Sequence, residues 1–204
     1  MLSFISYEYF KGAIMTEKVC TSLEGEILEK VPMSAEEFKE ISDIQQEVLQ
    51  MVADGEHQET ILISLCQLAE SLLPNSVASI MIKDEQTGLM SVLSAPNIPE
   101  NGHQALQNLK PGRGGGSCGN AVFHNQPQYV KDTFHDDRWL DIRKIAEDFN
   151  ICSCWSMPIR AKNGDAIGSF ALSSFEHREP SSFHKMLLDV SAFIVGVVLR
   201  RKQK

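Results

Sequence analysis

Two periods of apolar residues divide the chain. Phe38, Ile41, Gln45, Val48 and Met51 or Val52 fall near heptad steps, and Ile61, Leu65, Leu68, Ala69 and Leu72 repeat at helical steps. Such steps put side chains on one face of a helix. Ser34-Ala35-Glu36-Glu37 reads as a capping box for the first helix, which runs to about Ala53 and ends at Gly55. The second, from about His57, stops at Pro74-Asn75. Val77 to Lys83 and Leu89 to Ala95 read as strands joined by a turn that Asp84 and Gly88 suit. Pro96 to Leu109 is a loop with a short helix near His103. Helical spacing returns from His135 to Phe149, through Trp139, Ile142, Ile145 and Ala146. Ile151 to Ile159 and Ala166 to Phe175 form a hairpin about Asn163-Gly164. Pro180-Ser181-Ser182 opens a last helix, in which Phe183, Leu187, Val190, Ile194 and Val197 repeat at steps of four and three.

Summed, these elements predict an α+β fold with strands joined mainly as antiparallel hairpins. Residues 1–33 lack sustained periodicity and read as a loosely ordered extension, with the domain over 34–201 and a basic tail over 202–204. Met15 is an alternative start to Met1. The last helix is apolar nearly all round, since Met186, Leu188, Ala192, Phe193, Val195, Val198 and Leu199 join the heptad set. A helix of that kind needs cover on more than one side. A homodimer is therefore expected, with Phe38, Ile41, Val48, Phe183, Leu187, Val190, Ile194 and Val197 at its interface.

A chain of 204 residues, 43% hydrophobic and 23% charged, can bury a real core. The net charge of −8 leaves no excess of Lys and Arg to neutralise phosphates, which argues against a nucleic-acid partner. Cys20, Cys66, Cys118, Cys152 and Cys154 form an odd set read as reduced thiols, and the expected location is the cytoplasm. No apolar run is read as reaching the roughly 18 residues of a membrane span, and the N-terminus lacks the basic flank of a signal peptide.

The stretch from Gly112 to Phe175 carries the most information. In order it holds G-x-S-C-G-x-A, Q-P-x-x-V-x-D, D-R-W, C-W-S-x-P-I and N-G-x-x-I-G-S-F-A-L, followed by R-E-P-S. This series is similar to a GAF domain, above all to the sensory GAF modules of bacterial signalling proteins, and the likeness covers about 34–201. The resemblance implies an antiparallel sheet with the N- and C-terminal helices on one face and a ligand pocket on the other. It implies a lining of Ile80, Ile82, Leu93, Cys118, Val122, Tyr129, Trp139, Ile142, Cys154, Ser156 and Phe170. The function it implies is non-catalytic binding of an unidentified small molecule, with the signal passing through the helical dimer interface to an output domain or protein.

Other chemistries compete for the same residues. Cys118 at a helix start could be a lowered-pKa nucleophile. It resembles the G-x-x-C-G of free methionine sulfoxide reductases, enzymes of GAF fold, but the Glu that precedes their Val-Val-Pro is missing here. Small neighbours, and no adjacent Lys, Arg or His, favour an unreactive thiol packed as a small hydrophobe. Cys152 and Cys154, two apart on a strand, share a face, yet no spaced Cys or His partner completes a zinc set. His124 or His135 could ligate haem in a sensor of that kind. No Cys-His pair for a tetrapyrrole and no cyclic-nucleotide signature is present, and no cofactor is assigned. Gly112-Arg113-Gly114-Gly115-Gly116 lacks the Lys-Ser/Thr of a phosphate loop and reads as a mobile loop. Asp132, Asp136, Asp137 and Asp141 read as a solvated helix start.

Overall fold

The structure is a computed structural model, and it describes residues 33–201. The expected extension, apart from Met33, and the tail over 202–204 lie outside the described residues.

Local chemistry sets the first two helices. Ser34 accepts from the Glu37 amide (3.1 Å) while the Glu37 carboxylate takes the Ser34 amide (2.7 Å), so α1 (Ala35–Asp54) begins on its capping box. Gly55, left-handed at φ 82°, ends it. α2 spans Gln58–Ser71. The strands β1 (Ser76–Lys83) and β2 (Met90–Ser94) follow, then a short helix α3 (Glu100–Ala105). α4 (Gly116–His124) grows directly out of the glycine run, and β3 (Gln128–Val130) follows it. The single helix expected over His135–Phe149 is instead two pieces, a 3₁₀ turn at Asp137–Trp139 and α5 (Arg143–Asp148). The break has identifiable causes. Asp136 caps the turn through the Arg138 amide, the Asp141 amide leaves the helix to bond Gly114 O (3.1 Å), and Ile142 sits at φ −128°. β4 (Ser153–Arg160), β5 (Ala166–Ser174) and α6 (Ser182–Leu199) complete the chain, and Asn163-Gly164 makes the turn of the β4–β5 hairpin.

The sheet has five strands in the order β2-β1-β5-β4-β3, every pair antiparallel. Alternate residues serve its two faces. One set, including Ile80, Phe170, Met157, Leu172 and Trp155, packs against α2 and α6 in the main core, and α1 covers those helices from outside. α1 and α6 lie side by side and parallel. The Glu37 charge is felt at His184 near one end, and Arg201 donates to Glu56 O near the other.

This arrangement corrects two expectations. Ile41, Val48, Phe183, Leu187 and Ile194, expected at an interface between chains, are buried within one. The reason is that α6 lies between the sheet and α1, so its heptad-like stripe is used inside the domain. Val190 and Val197 are half-buried, while Phe193 is 60% exposed and Phe38 42%. Second, α6 is long and apolar enough to cross a membrane by length and composition, unlike the reading of the sequence; half of it is buried inside the fold.

Candidate functional site

The other face of the sheet carries mostly small side chains. Register places Ser79, Ala171 and Ser156 in one cross-strand row, and Val77, Ser173, Cys154 and Val130 in the next. Small side chains cannot reach the elements above, and the gap is a cavity of about 230 Å³. Its floor includes Val77, Ser79, Met81, Cys154 and Ser173. One wall runs from Asn97 through Leu106 to Leu109, and the roof is the start of α4 with Trp139, Ile142, Ile145, Phe149 and Ile151. No Asp, Glu, Lys, Arg or His lines it among the described residues.

The roof is held by buried polar contacts. The Trp139 indole N–H donates to Ser117 Oγ (3.1 Å), and Ser117 Oγ donates to Cys154 O (2.8 Å). That chain fixes the ring against the first turn of α4 and seats the turn on β4. Asn120, 2% exposed, donates its side-chain amide to Arg113 O (2.9 Å), Gly116 O (2.8 Å) and Arg138 O (3.2 Å). Gly116 is required by two facts: its φ is +72°, and a Cβ there would stand 2.6 Å from Ile142 Cδ1. Arg138 is held over Asp136 by paired bonds (2.8 and 2.7 Å) and reaches Tyr129 O (3.2 Å), which braces the turn that presents Trp139. Bonding to Arg138 holds the Asp136 carboxyl below its ordinary value.

The thiols differ in chemistry. Cys66 is buried in the helix-side core, where burial pushes its pKa up to about 12. Burial also raises Cys152. Cys118 and Cys154 line the cavity together and pack in one cluster. Hydrogen bonding from Cys154 first, and from Ser169 and Ser156 after it, pulls Cys118 down to about 7 against the opposing effect of burial. Cys154 moves the opposite way, raised by its contact with Cys118 and by burial. Ser173 Oγ donates to Cys154 Sγ at 3.4 Å. The expectation of an unreactive Cys118 considered only its sequence neighbours, whereas its proton affinity is set by partners on β4 and β5.

Of the expected lining, Cys118, Trp139, Ile142 and Cys154 come together around the cavity. Ile80 and Phe170 sit in the helix-side core, with Ile82 and Tyr129 packed against it. They belong to the opposite set of the two-residue alternation, and where both faces are covered hydrophobicity does not tell the faces apart. The Tyr129 ring instead receives Lys185 Nζ at 5.2 Å. Leu93 is 42% exposed on the edge strand. Val122 packs with Met81 and Met90 beside the cavity, and Ser156 is buried near Cys118. Ser79, Ser173, Asn97, Ile98 and Phe149 line the cavity without having been expected there. Extending the parity of Cys154 across the sheet would have found the first two. His124 and His135 lie outside the lining, and His135 instead bonds Asp132 (2.8 Å). Among the described residues no three of His, Cys, Asp and Glu gather to hold a metal ion.

A family model described as the GAF domain matches residues 56–200. The chain is also similar to the methyl sulfide methyltransferase-associated sensor of Methanosarcina acetivorans, at 22% identity over 167 residues. That match takes in 82% of this chain but 17% of its relative, so the chain spans about a sixth of that protein's length. Among solved structures, the GAF domain of an Acinetobacter phosphoenolpyruvate-protein phosphotransferase superposes with a TM-score of 0.63 at 12% identity, covering 82% of this chain and 94% of that one. The reduced form of fRMsr from Staphylococcus aureus gives 0.61 at 18%, covering 78% and 94%. At these identities the likenesses speak for the fold, and they agree with the sheet described above. With the family model matched over most of its length, the chain belongs to the GAF domain family.

Proposed function

We propose that this GAF domain is a non-catalytic sensory module that takes a small, uncharged, largely apolar molecule into the cavity between the sheet and α4. The observation that carries this reading is the lining: apolar side chains with a few hydroxyl, thiol and amide groups, and no Asp, Glu, Lys, Arg or His among the described residues. Concave apolar sites with few polar groups are the usual form of a ligand site. An apolar cavity of about 150 Å³ accommodates benzene, so about 230 Å³ suits one bicyclic ring system. An anionic nucleotide, or an amino-acid zwitterion of the kind a methionine sulfoxide reductase must hold, would lose its hydration here without gaining an ion pair. The sensor relative supports the regulatory side of the reading.

The signal leaves through α1 and α6, which pack on the sheet's other face. A homodimer formed on their outer surface, around Phe193, Val190 and Val197, would link the cavity to an output domain or partner. We place the protein in the cytoplasm, because the cysteines described are all free thiols.

Native mass spectrometry of the purified protein tests the reading. The expected spectrum shows a dimer retaining a small neutral compound. In a parallel assay, indole as an uncharged aromatic probe should raise the unfolding temperature in proportion to the logarithm of its concentration. Turnover of free methionine sulfoxide with a thioredoxin system, and no response to indole, would overturn it.

A further inference from the structure

We infer that Cys118 and Cys154 are a reactive thiol and its resolving partner, and that the cavity they line admits organic hydroperoxides, which convert the pair to a disulfide. The inference stands on geometry and does not depend on the sensory reading. The two side chains come from different elements, α4 in the roof and β4 in the floor, and pack in one cluster where the two meet. The bond from Ser117 Oγ to Cys154 O holds the first turn of α4 against β4 at that place. Their exposures differ in the sense the chemistry needs: Cys118 is partly accessible, and Cys154 is 2% exposed behind it.

A second observation points at the same sulfur. Ser169 is fully buried on the cavity face of β5, and its hydroxyl makes no well-formed hydrogen bond among the described residues. It neighbours the Cys118 sulfur, as does Ser156, whose hydroxyl donates to Phe170 O (3.5 Å). A buried hydroxyl without an acceptor is costly, and a thiolate is the acceptor that would satisfy it. The same neighbours hold the proton affinity of Cys118 down, so a large share is thiolate at neutral pH.

The reaction balances with the hydroperoxide as sole oxidant. The Cys118 thiolate attacks the distal peroxide oxygen; the O–O bond breaks, the alkoxide takes a proton and leaves as alcohol, and Cys118 becomes a sulfenic acid. The Cys154 thiol then attacks the Cys118 sulfur. The S–O bond breaks, the S–S bond forms, and the Cys154 proton leaves with the hydroxide as water. Two thiols lose two electrons and one hydroperoxide gains them. The bond would tie α4 to β4 and remove two polar hydrogens from the lining, so oxidation state and cavity shape would change together.

Cumene hydroperoxide, whose apolar body matches the lining, is the probe. After treatment at neutral pH, the intact chain should lose two hydrogens in mass, reversibly with dithiothreitol. Peptide mapping should find Cys118 joined to Cys154. Cys118→Ser and Cys154→Ser should each abolish the bridge, while Cys152→Ser should retain it. Phenylarsine oxide, which bridges neighbouring thiols, supplies a measurement on the unaltered protein: one equivalent should bind and protect both cysteines from alkylation. Without oxidant at pH 7, Cys118 should alkylate more than tenfold faster than Cys66, whose thiol stays protonated. No mass loss, a bridge through Cys20 or Cys152, or independent alkylation of Cys118 and Cys154 in the presence of the arsenical would overturn the inference.

Discussion

The two faces of the sheet are made by the same strands and have opposite characters. At one register position Ile80, Phe170 and Met157 stand side by side, and one residue along, on the other face, stand Ser79, Ala171 and Ser156. The first row meets α2 and α6, with α1 packed behind them, and is solid. The second is too short to meet its cover, and a cavity remains. Stability and binding space are thus set by alternate residues of one set of strands, and each can be changed with little effect on the other.

Leu187→Ala should break the solid side. The residue is fully buried in the helix-side core, and its truncation should cost about 2–5 kcal/mol, read from the urea midpoint. A loss below about 1 kcal/mol would show that the packed face is not the stabilising one. Trp139→Phe acts on the cavity side and should cost about 1 kcal/mol, because it removes one buried indole N–H bond while Ser117 keeps its bond to Cys154 O. Stabilisation by indole should weaken in the same variant. Ser79→Leu fills cavity space and sharpens the contrast most cleanly. Thermal unfolding should move by about 1 kcal/mol or less, while the response to indole disappears. Phe193→Glu, on the outer surface of α6, should change the stability of the chain itself by no more than about 0.5 kcal/mol and shift the species seen in light scattering from dimer to monomer.

Where a structural choice depends on near neighbours, the sequence already shows it. The capping box at Ser34, the stop at Gly55 and the Asn163-Gly164 turn are read from adjacent residues, and all stand in the structure. The ordered motifs between Gly112 and Phe175 sufficed for the family. What the sequence does not show is decided at long range. Ile80 and Ser79 are both buried, and only the docking of α1, α2 and α6 decides which of them faces the cavity. The apolar spacing from His135 to Phe149 is helical, but the Asp141 amide is captured by Gly114 O and the helix breaks. Cys118 and Cys154 are far apart in the chain, and nothing in either motif announces that the two residues pack in one cluster.

The Asn120 amide has a consequence for time rather than affinity. Its N–H groups are shared among the carbonyls of Arg113, Gly116 and Arg138, which lie in the glycine run, at the start of α4 and in the turn that carries Trp139. Lifting any two of these strips a buried donor of its acceptor, so large movements of the roof are coupled through this one side chain. The wall opposite is tied down by separate bonds: His103 Nε2 to Ala95 O (2.9 Å), the paired amides of Met90 and Leu109 (2.8 Å each), the Asn108 amide to Ser91 Oγ (3.1 Å) and Asn97 to the Glu70 carboxylate. A guest's residence time would therefore follow how often the shared roof set or these separate wall bonds part. Substitutions at Asn120 would then shorten the stay of a guest by letting the roof part.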